Sequence, residues 1–460
     1  MEGASDGGGS TGPEPEEGAA VEFHEDEEII EVLALNEGEA DSDDPVTDVM
    51  DVDYADESED GEMADEDSDT DDESEEEEGE PQDDSELTYS EHNAPIYCVS
   101  LDPKETKLAV SGGQYDKAFV WRISDGETLF QCKGHKDAVK FAAFSHDSTL
   151  VVTADMKGLM KVWRVEDGKE IWSYQVPKLK VEAPREHYEG VVVPVIILLE
   201  SRKDKLQWLE WHPCAHVLLY GTPDGNTWMW KIPSGECKSF QGPSCPATCG
   251  QFLPDGERAV VGYEDGSVRI WDLKEGKTLH ALEGTDSHRG PMSCVACNTD
   301  GSLILTGSFD CDTKMVNTAT GKVVGLFRIE SCAFKTPKDE ADFNSVECMA
   351  FCHVLPLVAV LYLDGSVAIY DILTQTLRHR FRHKSTLIKL TWEDMSPVLY
   401  TCCRDGAINL WDSQSGEMII EYGGHTAEIT DFAINKDSSI VVTVSSDHEA
   451  KVFCVDKLDR

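Results

Sequence analysis

Residues 265–272 read Asp-Gly-Ser-Val-Arg-Ile-Trp-Asp, a turn pair followed by an alternating run that ends in Trp-Asp. The pattern returns at 405–412, at 364–371 with Tyr in place of Trp, and at 224–230. Asp-Gly is typical of a turn between two strands, and alternating apolar residues are typical of a strand with one buried face. The stretch therefore predicts a β-hairpin that the chain uses several times.

Weaker copies bring the number of these hairpins to eight. Their anchor residues, at the end of each run, are Trp121, Trp163, Trp230, Trp271, Val316, Tyr370, Trp411 and Phe453. Successive anchors are 42, 67, 41, 45, 54, 41 and 42 residues apart. A unit of about 42 residues that holds several short alternating runs indicates an all-β repeat domain.

Two intervals exceed the length of the unit, which predicts insertions at about 176–205 and 328–345. The first includes the apolar run VVVPVIILL at 191–199, about half of the ~20 residues that a membrane-spanning helix needs. We place the repeat domain at 85–460 and a separate acidic segment at 1–84.

The Asp-Gly turns that lead to Trp-Asp, with Gly134-His135 and Gly424-His425 opening later units, resemble WD40 repeats. This resemblance implies an eight-bladed β-propeller, with four strands in each blade around a central channel. It also implies a hydrogen-bond relay in each blade among a His, a Ser or Thr, a turn Asp and the anchor Trp.

By this resemblance the relay residues are His425, Ser445 and Asp447 in the last blade, and His135, Thr153 and Trp163 in the second. Two positions depart from the pattern. Phe453 replaces the anchor Trp and has no N–H to donate, and Lys157 stands where the turn Asp is usual. We therefore expect packing to hold several blades together more than the relay does.

The two ends of the repeat domain are predicted to pair. Seven residues follow Phe453, too few for a turn and a fourth strand. Residues 85–90 (SELTYS) alternate suitably and are predicted to supply the outer strand of the last blade. Closing the ring in this way removes exposed sheet edges, which otherwise invite aggregation.

The formal net charge of −51 is concentrated in one segment. Residues 1–86 hold 39 Asp and Glu and no Lys or Arg, so the rest of the chain carries 51 acids and 39 bases, a net of −12. Such a segment buries too little apolar surface to offset its ordering entropy, and we expect 1–84 to be disordered. This charge disfavours direct binding to nucleic acid and favours capture of basic proteins.

Candidate partner-binding residues fall into two groups. Connections between outer and inner strands gather with the Asp-Gly turns on one rim of a propeller, where we place Glu91, Asp137, Glu264 and Glu428. Within the acidic segment, an apolar island is of the kind that folds on a partner. Its residues include Ile29, Ile30, Val32 and Leu33.

Two further features of the sequence concern charge. Ser68, Thr70 and Ser74 each precede an acidic residue by three positions, so they are candidate phosphorylation sites for an acidophilic kinase. The basic run from Arg378 to Lys384 is predicted to be a loop between blades six and seven. It is a candidate to bind the acidic segment in cis or an anionic partner, although a solvated loop is the simpler interpretation.

Longer phrases, among them FHEDEEIIEV at 23–32 and GYEDGSVRIWDLK at 262–274, resemble the angio-associated family of WD40 proteins. The resemblance implies a link to angiogenesis, differentiation and cell migration. This family is also similar to a yeast eight-bladed propeller that acts as chaperone of a newly made, basic large-subunit ribosomal protein. We therefore expect a non-enzymatic scaffold that binds a basic ribosomal protein and acts in ribosome biogenesis.

Two alternatives stay open at this point. A histone chaperone would use the same acidic segment on another basic partner. A ubiquitin-ligase substrate receptor is less favoured, because such proteins often carry Trp-Asp-x-Arg, whereas Trp271-Asp272 is followed by Leu273-Lys274.

The sequence contains no signature of catalysis, such as a nucleophile elbow, a His-Glu-x-x-His pair or a phosphate-binding glycine loop. Cys294-x-x-Cys297 lies in a predicted first strand, where residues three apart face opposite sides. We therefore expect no catalytic residue, no cofactor and no metal. No secretory signal is evident, and an odd number of cysteines, 15, indicates reduced thiols. We expect a monomer in the cytoplasm or shared between cytoplasm and nucleus.

Overall fold

The computed structural model describes residues 83–177, 206–329, 344–383 and 385–455. Within these ranges every regular element is a β-strand, and the strands form eight four-stranded antiparallel sheets. The eight-bladed β-propeller predicted from the repeats is confirmed. In these same ranges no helix is long and apolar enough to cross a membrane.

The first half of the ring holds four blades, and strand β1 (Leu87–Tyr89) precedes them. Blade one consists of β2 (Ile96–Leu101), β3 (Leu108–Gly113), β4 (Ala118–Arg122) and β5 (Thr128–Gln131). Blade two consists of β6 (Val139–Phe144), β7 (Leu150–Asp155), β8 (Leu159–Arg164) and β9 (Glu170–Gln175). Blade three consists of β10 (Trp208–Trp211), β11 (Val217–Gly221), β12 (Asn226–Lys231) and β13 (Glu236–Gln241). Blade four consists of β14 (Ala247–Phe252), β15 (Arg258–Tyr263), β16 (Val268–Asp272) and β17 (Lys277–Leu282).

The second half of the ring repeats this arrangement. Blade five consists of β18 (Met292–Cys297), β19 (Leu303–Ser308), β20 (Thr313–Asn317) and β21 (Lys322–Phe327). Blade six consists of β22 (Val346–Phe351), β23 (Leu357–Tyr362), β24 (Ser366–Asp371) and β25 (Thr376–Arg382). Blade seven consists of β26 (Leu387–Trp392), β27 (Val398–Cys403), β28 (Ile408–Asp412) and β29 (Met418–Tyr422). Blade eight consists of β30 (Ile429–Ile434), β31 (Ile440–Ser445), β32 (Ala450–Cys454) and, as its outer strand, β1.

The Asp-Gly pair forms the turn between the second and third strands of a blade. In blade four the Asp265 carboxylate accepts a hydrogen bond from the Ser267 backbone at 2.9 Å, and Gly266 has a positive φ of 80°. A Cβ at Gly266 would lie 2.3 Å from the His288 carbonyl oxygen of the neighbouring loop. Glycine is required here both by the backbone conformation and by this close approach.

The anchor residues occupy the third strand of every blade, and the core lies between neighbouring blades. Trp121 is fully buried and packs in a cluster that also contains Val442 and Val452 of blade eight. Burial of these side chains against the adjacent sheet supplies most of the driving force for closing the ring.

The predicted pairing of the two ends is present. β1 pairs antiparallel with β32, with Leu87 opposite Val452 and Tyr89 opposite Ala450. Tyr89 is buried and stacks on Trp121 with ring centroids 4.5 Å apart. The outer strand of the last blade is therefore taken from the residues that precede the first blade.

Candidate protein-binding rim

Two kinds of loop share one edge of the ring, which we call the upper rim. They are the connections from each fourth strand to the next first strand, and the turns between second and third strands. Because the strands of a blade alternate in direction, these loops meet at the same edge. Ion pairs join the two kinds of loop, Lys157 to Asp137 at 3.1 Å and Arg404 to Glu428 at 3.5 Å. The remaining turns form the opposite edge, the lower rim.

The relay of blade two holds the upper rim to the sheet. The Trp163 indole N–H donates to Thr153 Oγ1 at 2.9 Å, and Thr153 Oγ1 lies 2.7 Å from His135 Nε2. The acid of this relay is Asp155, which lies 3.6 Å from His135 Nδ1 and accepts from the backbone N–H of Lys136. Asp155 therefore stands near His135 where the turn Asp was expected, and the ammonium of Lys157 reaches Asp137 instead.

The relay of blade eight corrects one predicted residue. His425 lies 2.7 Å from Thr443 Oγ1 and 2.7 Å from Asp447 Oδ2, so Thr443 takes the role predicted for Ser445. The Ser445 hydroxyl instead donates to the carbonyl of Ala427. Burial alone would raise the pKa of Asp447, but the hydrogen bond and charge of His425 hold it below its usual range.

Three further relays were not predicted from the sequence. Each pairs a His with a hydroxyl ten residues before the anchor, and the His is buried in blades one and five and half-buried in blade seven. The pairs are His92 with Ser111 in blade one, His288 with Thr306 in blade five and His383 with Thr401 in blade seven. These His residues are not preceded by Gly, so the Gly-His pair does not reveal them. The signal in the sequence that could have found these relays is the hydroxyl residue ten positions before the anchor.

The four acids predicted for this surface all lie in upper-rim loops. Glu91 and Glu428 are exposed, and Asp137 is half-buried beside Lys157. Glu264 is only 5% exposed, so its carboxylate is less accessible to a partner than those of the other three acids. Their role in partner binding remains a prediction.

The described chain begins at the upper rim. The Asp84 backbone N–H donates to the Gly423 carbonyl at 3.1 Å, and the Gly423 N–H donates back to the Asp84 carboxylate at 2.9 Å. Asp83 forms an ion pair with Lys451, whose side chain is 5% exposed. Burial alone would raise the pKa of Asp83, but hydrogen bonds from Lys451 and Ser85 lower it to about 2. The described chain therefore starts at the rim that carries the predicted acids.

The basic run is not the loop that we predicted. Residues 376–382 form strand β25, the outer strand of blade six, and Lys384 lies outside the described residues. Arg378 binds Asp371 through its guanidinium, and Arg380 lies 3.9 Å from Asp364. The strand forms because its residues pair with β24. Arg378 and Arg380 pair with acids of the same blade, and Arg382 donates to the backbone carbonyl of Asp364.

The channel end nearest the lower rim contains a cavity of about 620 Å³. Lys389 and Asp431 border this region as an ion pair of 2.7 Å, and Asp431 also accepts from the Val99 backbone at 3.0 Å. Glu210 on β10 accepts from the Phe252 backbone at 2.6 Å, and burial raises its pKa to about 8. These contacts join neighbouring first strands.

The Cys-x-x-Cys pair lies in β18, the first strand of blade five, as predicted. Burial raises the pKa of Cys297 to about 12 and also raises the pKa of Cys294 well above its usual range. Both thiols are therefore protonated at neutral pH and are poor nucleophiles or metal ligands.

Other predicted features lie outside the described residues. They are the acidic segment up to residue 82, most of the insertions at 176–205 and 328–345, the island residues Ile29, Ile30, Val32 and Leu33, and the phosphorylation candidates Ser68, Thr70 and Ser74.

A ring of eight four-stranded blades, whose rim is held by His, Ser or Thr, Asp and Trp relays, defines a WD40-repeat propeller, a class of protein-binding scaffold. The family model described as "WD domain, G-beta repeat" matches residues 126–164, 235–272, 276–317, 375–412 and 416–454.

The human angio-associated migratory cell protein is 52% identical over 465 residues, which cover 100% of both chains. The chain belongs to the angio-associated migratory cell protein family of WD40 proteins.

Two solved structures share the fold. Chaetomium thermophilum Sqt1 bound to the N-terminus of the ribosomal protein L10 has a TM-score of 0.67 and 20% identity, covering 81% of this chain and 100% of its own. Saccharomyces cerevisiae Sqt1 has a TM-score of 0.68 and 19% identity, covering 82% of this chain and 100% of its own.

Proposed function

We propose that this protein is a cytoplasmic, non-catalytic scaffold that captures a basic segment of a newly made ribosomal protein and shields its charge. The observation that carries the proposal is the place where the acidic segment joins the ring. Asp83 and Asp84 lie against Gly423 and Lys451 on the upper rim. The described chain that follows the acidic segment therefore starts at this rim.

The charge of the acidic segment suits this role. Residues 1–86 contribute 39 carboxylates without a single Lys or Arg. Such a concentration of like charge attracts Lys- and Arg-rich chains over about 8–10 Å at physiological salt and speeds their encounter. The same attraction would cover a charge that a free ribosomal protein normally presents to RNA.

The rim would supply the specificity that a polyanion lacks. Glu91 and Glu428 are exposed on fixed loops, and Glu428 lies 3.5 Å from Arg404, which a basic partner could displace. Fixed carboxylates pair with a given spacing of Lys and Arg, whereas a high density of negative charge by itself attracts any cation. The propeller that shares this fold, Sqt1, binds the N-terminus of ribosomal protein L10 in its solved complex, which supports the choice of partner.

Fluorescence anisotropy with the N-terminal peptide of ribosomal protein L10 and a histone tail peptide of equal charge tests the proposal. We expect the ribosomal peptide to bind more tightly, with an affinity that falls steeply as salt rises. Removing residues 1–80 should slow association, because steering is lost while the rim remains. Equal affinity for the two peptides would indicate unspecific capture of charge, and tighter binding of the histone peptide would favour the histone alternative.

A matched pair of triple variants separates the rim from overall charge. The rim variant carries Glu91→Gln, Asp137→Asn and Glu428→Gln, and the control carries Glu105→Gln, Glu166→Gln and Glu257→Gln in lower-rim turns. Both variants lose three negative charges. We expect about tenfold weaker binding for the rim variant and about twofold or less for the control. If both variants bind alike, the upper rim is not the docking surface.

A further inference from the structure

Three potential metal ligands meet on the lower rim between blades two and three. His146 and Asp147 lie in the turn between β6 and β7, and His216 lies in the turn between β10 and β11. One ligand atom from each residue lies within 4.8 Å of the other two. The two imidazole rings have centroids 5.5 Å apart.

The distances approach those of a tetrahedral zinc site. His216 Nε2 lies 3.0 Å from both carboxylate oxygens of Asp147. Zinc bonds of 2.0–2.1 Å at tetrahedral angles separate two ligand atoms by about 3.4 Å. The His216 and Asp147 atoms are already close to this separation. The His146 atom lies within 4.8 Å of both, so a movement of its side chain by at most roughly 1.5 Å would bring it to the same separation.

The surroundings orient the carboxylate in the manner of an outer shell around a metal. The hydroxyls of Ser145 and Thr149 each donate to Asp147 Oδ1 at 2.8 Å, and the Thr149 backbone also donates to it at 3.2 Å. Asp147 Oδ2 contacts His216. Groups that fix a ligand in this way raise the affinity of a site.

A second observation concerns the Nδ1 atom of His146. Its Nδ1 atom is buried and has no hydrogen-bond partner among the described residues. Buried polar atoms are nearly always paired, so such an atom calls for an explanation such as an ion or ordered water. His146 also borders the channel cavity, together with Pro213, which provides a route of entry for an ion.

We propose that His146, Asp147 and His216 bind one Zn²⁺ ion, with a fourth position open to water or a partner's side chain. Two imidazole nitrogens and one carboxylate oxygen are ligands that Zn²⁺ takes readily, and three protein ligands leave a coordination position free. The proposed ion would tie blade two to blade three. The covalent link between these blades, from Gln175 to Trp208, is much longer than the link from Gln131 to Val139 between blades one and two.

The cluster could not be predicted from the sequence, because its two His residues are far apart along the chain. His146 and His216 belong to different repeats, and neither lies in a motif with the ligand spacing of a known zinc site. The ring brings their turns together because equivalent turns of adjacent blades are neighbours on one rim.

Another His–Asp pair serves as the internal control. His353 Nδ1 lies 2.9 Å from Asp394 Oδ1, in the equivalent turns of blades six and seven. Among the described residues this pair is in no group of three potential ligands. His353→Ala therefore removes an imidazole of the same type without touching the proposed site.

Isothermal titration of the metal-stripped full-length protein with Zn²⁺ tests the proposal. Excess Mg²⁺ is present, because this hard cation occupies carboxylates of the acidic segment. We expect one tight site in the wild type and in His353→Ala, and at least about tenfold weaker binding in His146→Ala and His216→Gln. His216→Gln keeps a donor for Asp147, which guards against a variant that fails to fold. Co²⁺ should give the absorption of a tetrahedral N and O site only where Zn²⁺ binds.

Thermal melts provide a second readout. Zn²⁺ should raise the melting temperature of the wild type and His353→Ala and leave that of His216→Gln unchanged, because binding to the folded state alone stabilises it. Equal Zn²⁺ affinity in all four proteins would overturn the proposal. Cys214, an exposed thiol, lies in the same turn as His216. A tight site that survives both His substitutions but is lost in Cys214→Ser would also overturn the proposal, because it would assign the metal to this thiol.

Discussion

Tyr89 is the residue through which the first strand of the chain closes the ring. It is buried, stacks on Trp121 at an interplanar angle of 6° and places its hydroxyl 2.8 Å from Thr128 Oγ1. Tyr89→Ala should cost about 3–5 kcal/mol, the range for removing a large aromatic side chain from a core. Tyr89→Phe removes one hydrogen bond and should cost about 1 kcal/mol.

These free energies convert into melting temperatures. With an unfolding entropy of about 2.1 cal/mol/K per residue, a ring of roughly 375 residues has about 0.8 kcal/mol/K. Tyr89→Ala should therefore lower the melting temperature by about 5 °C, and Tyr89→Phe by about 1 °C. Deleting residues 1–90 should lower it further, because the pairing of β1 with β32 is lost as well.

Circular dichroism melts of five proteins test this reasoning. They are the wild type, deletions of residues 1–80 and 1–90, Tyr89→Ala and Tyr89→Phe. The deletion of 1–80 should melt close to the wild type, since it keeps Asp83, Asp84 and β1. If the deletion of 1–90 melts at the same temperature as the deletion of 1–80, β1 does not close the ring and the reasoning fails.

Three further outcomes can be measured by urea unfolding. Thr153→Val should cost about 1–3 kcal/mol, because it leaves the Trp163 N–H and His135 Nε2 buried without their shared hydroxyl; a cost below that of an exposed Thr→Val control would contradict the relay. Burial lowers the pKa of His92 to about 3. Below about pH 6.5 the His92 side chain is therefore protonated in the unfolded chain but stays neutral in the folded protein. Stability should thus fall by about 1.4 kcal/mol per pH unit below about 6.5, and His92→Asn should flatten this slope. Burial raises the pKa of Glu210 to about 8, so the Glu210 carboxyl lowers the stability of the folded protein increasingly as pH rises from 4.5 toward 8. Glu210→Gln should lose this pH dependence, so its stability relative to the wild type should rise between pH 4.5 and pH 8.5; a variant whose relative stability falls over this range would show that the carboxylate is needed.

Features that depend on neighbours along the chain could be predicted from the sequence. In the Asp265-Gly266 turn, the backbone N–H of Ser267 donates to the Asp265 side chain two residues earlier. Such a local contact can be predicted from the residue types alone, without knowledge of the fold. The anchors were predicted from the same repeated pattern. The closing strand was predicted because the last unit has too few residues for four strands and must take its fourth strand from another part of the chain. The split of charge between residues 1–86 and the rest is likewise a property of the sequence itself.

Contacts between strands and between blades could not be predicted in this way. Thr443 and Ser445 are two residues apart and face the same side of β31, so alternation cannot say which of them meets His425. Asp155 replaces the expected turn acid because its position at the end of β7 brings it near His135.

The sequence by itself determined that this protein is a closed ring of eight WD40 blades with an acidic segment, because turn chemistry and repeat length act over a few residues. Only the tertiary structure decided which groups meet: the relay partners, the ion pairs of β25 and the triad of His146, Asp147 and His216. The physical reason is that register and the approach of neighbouring blades set those contacts, which in the triad join residues of two different repeats.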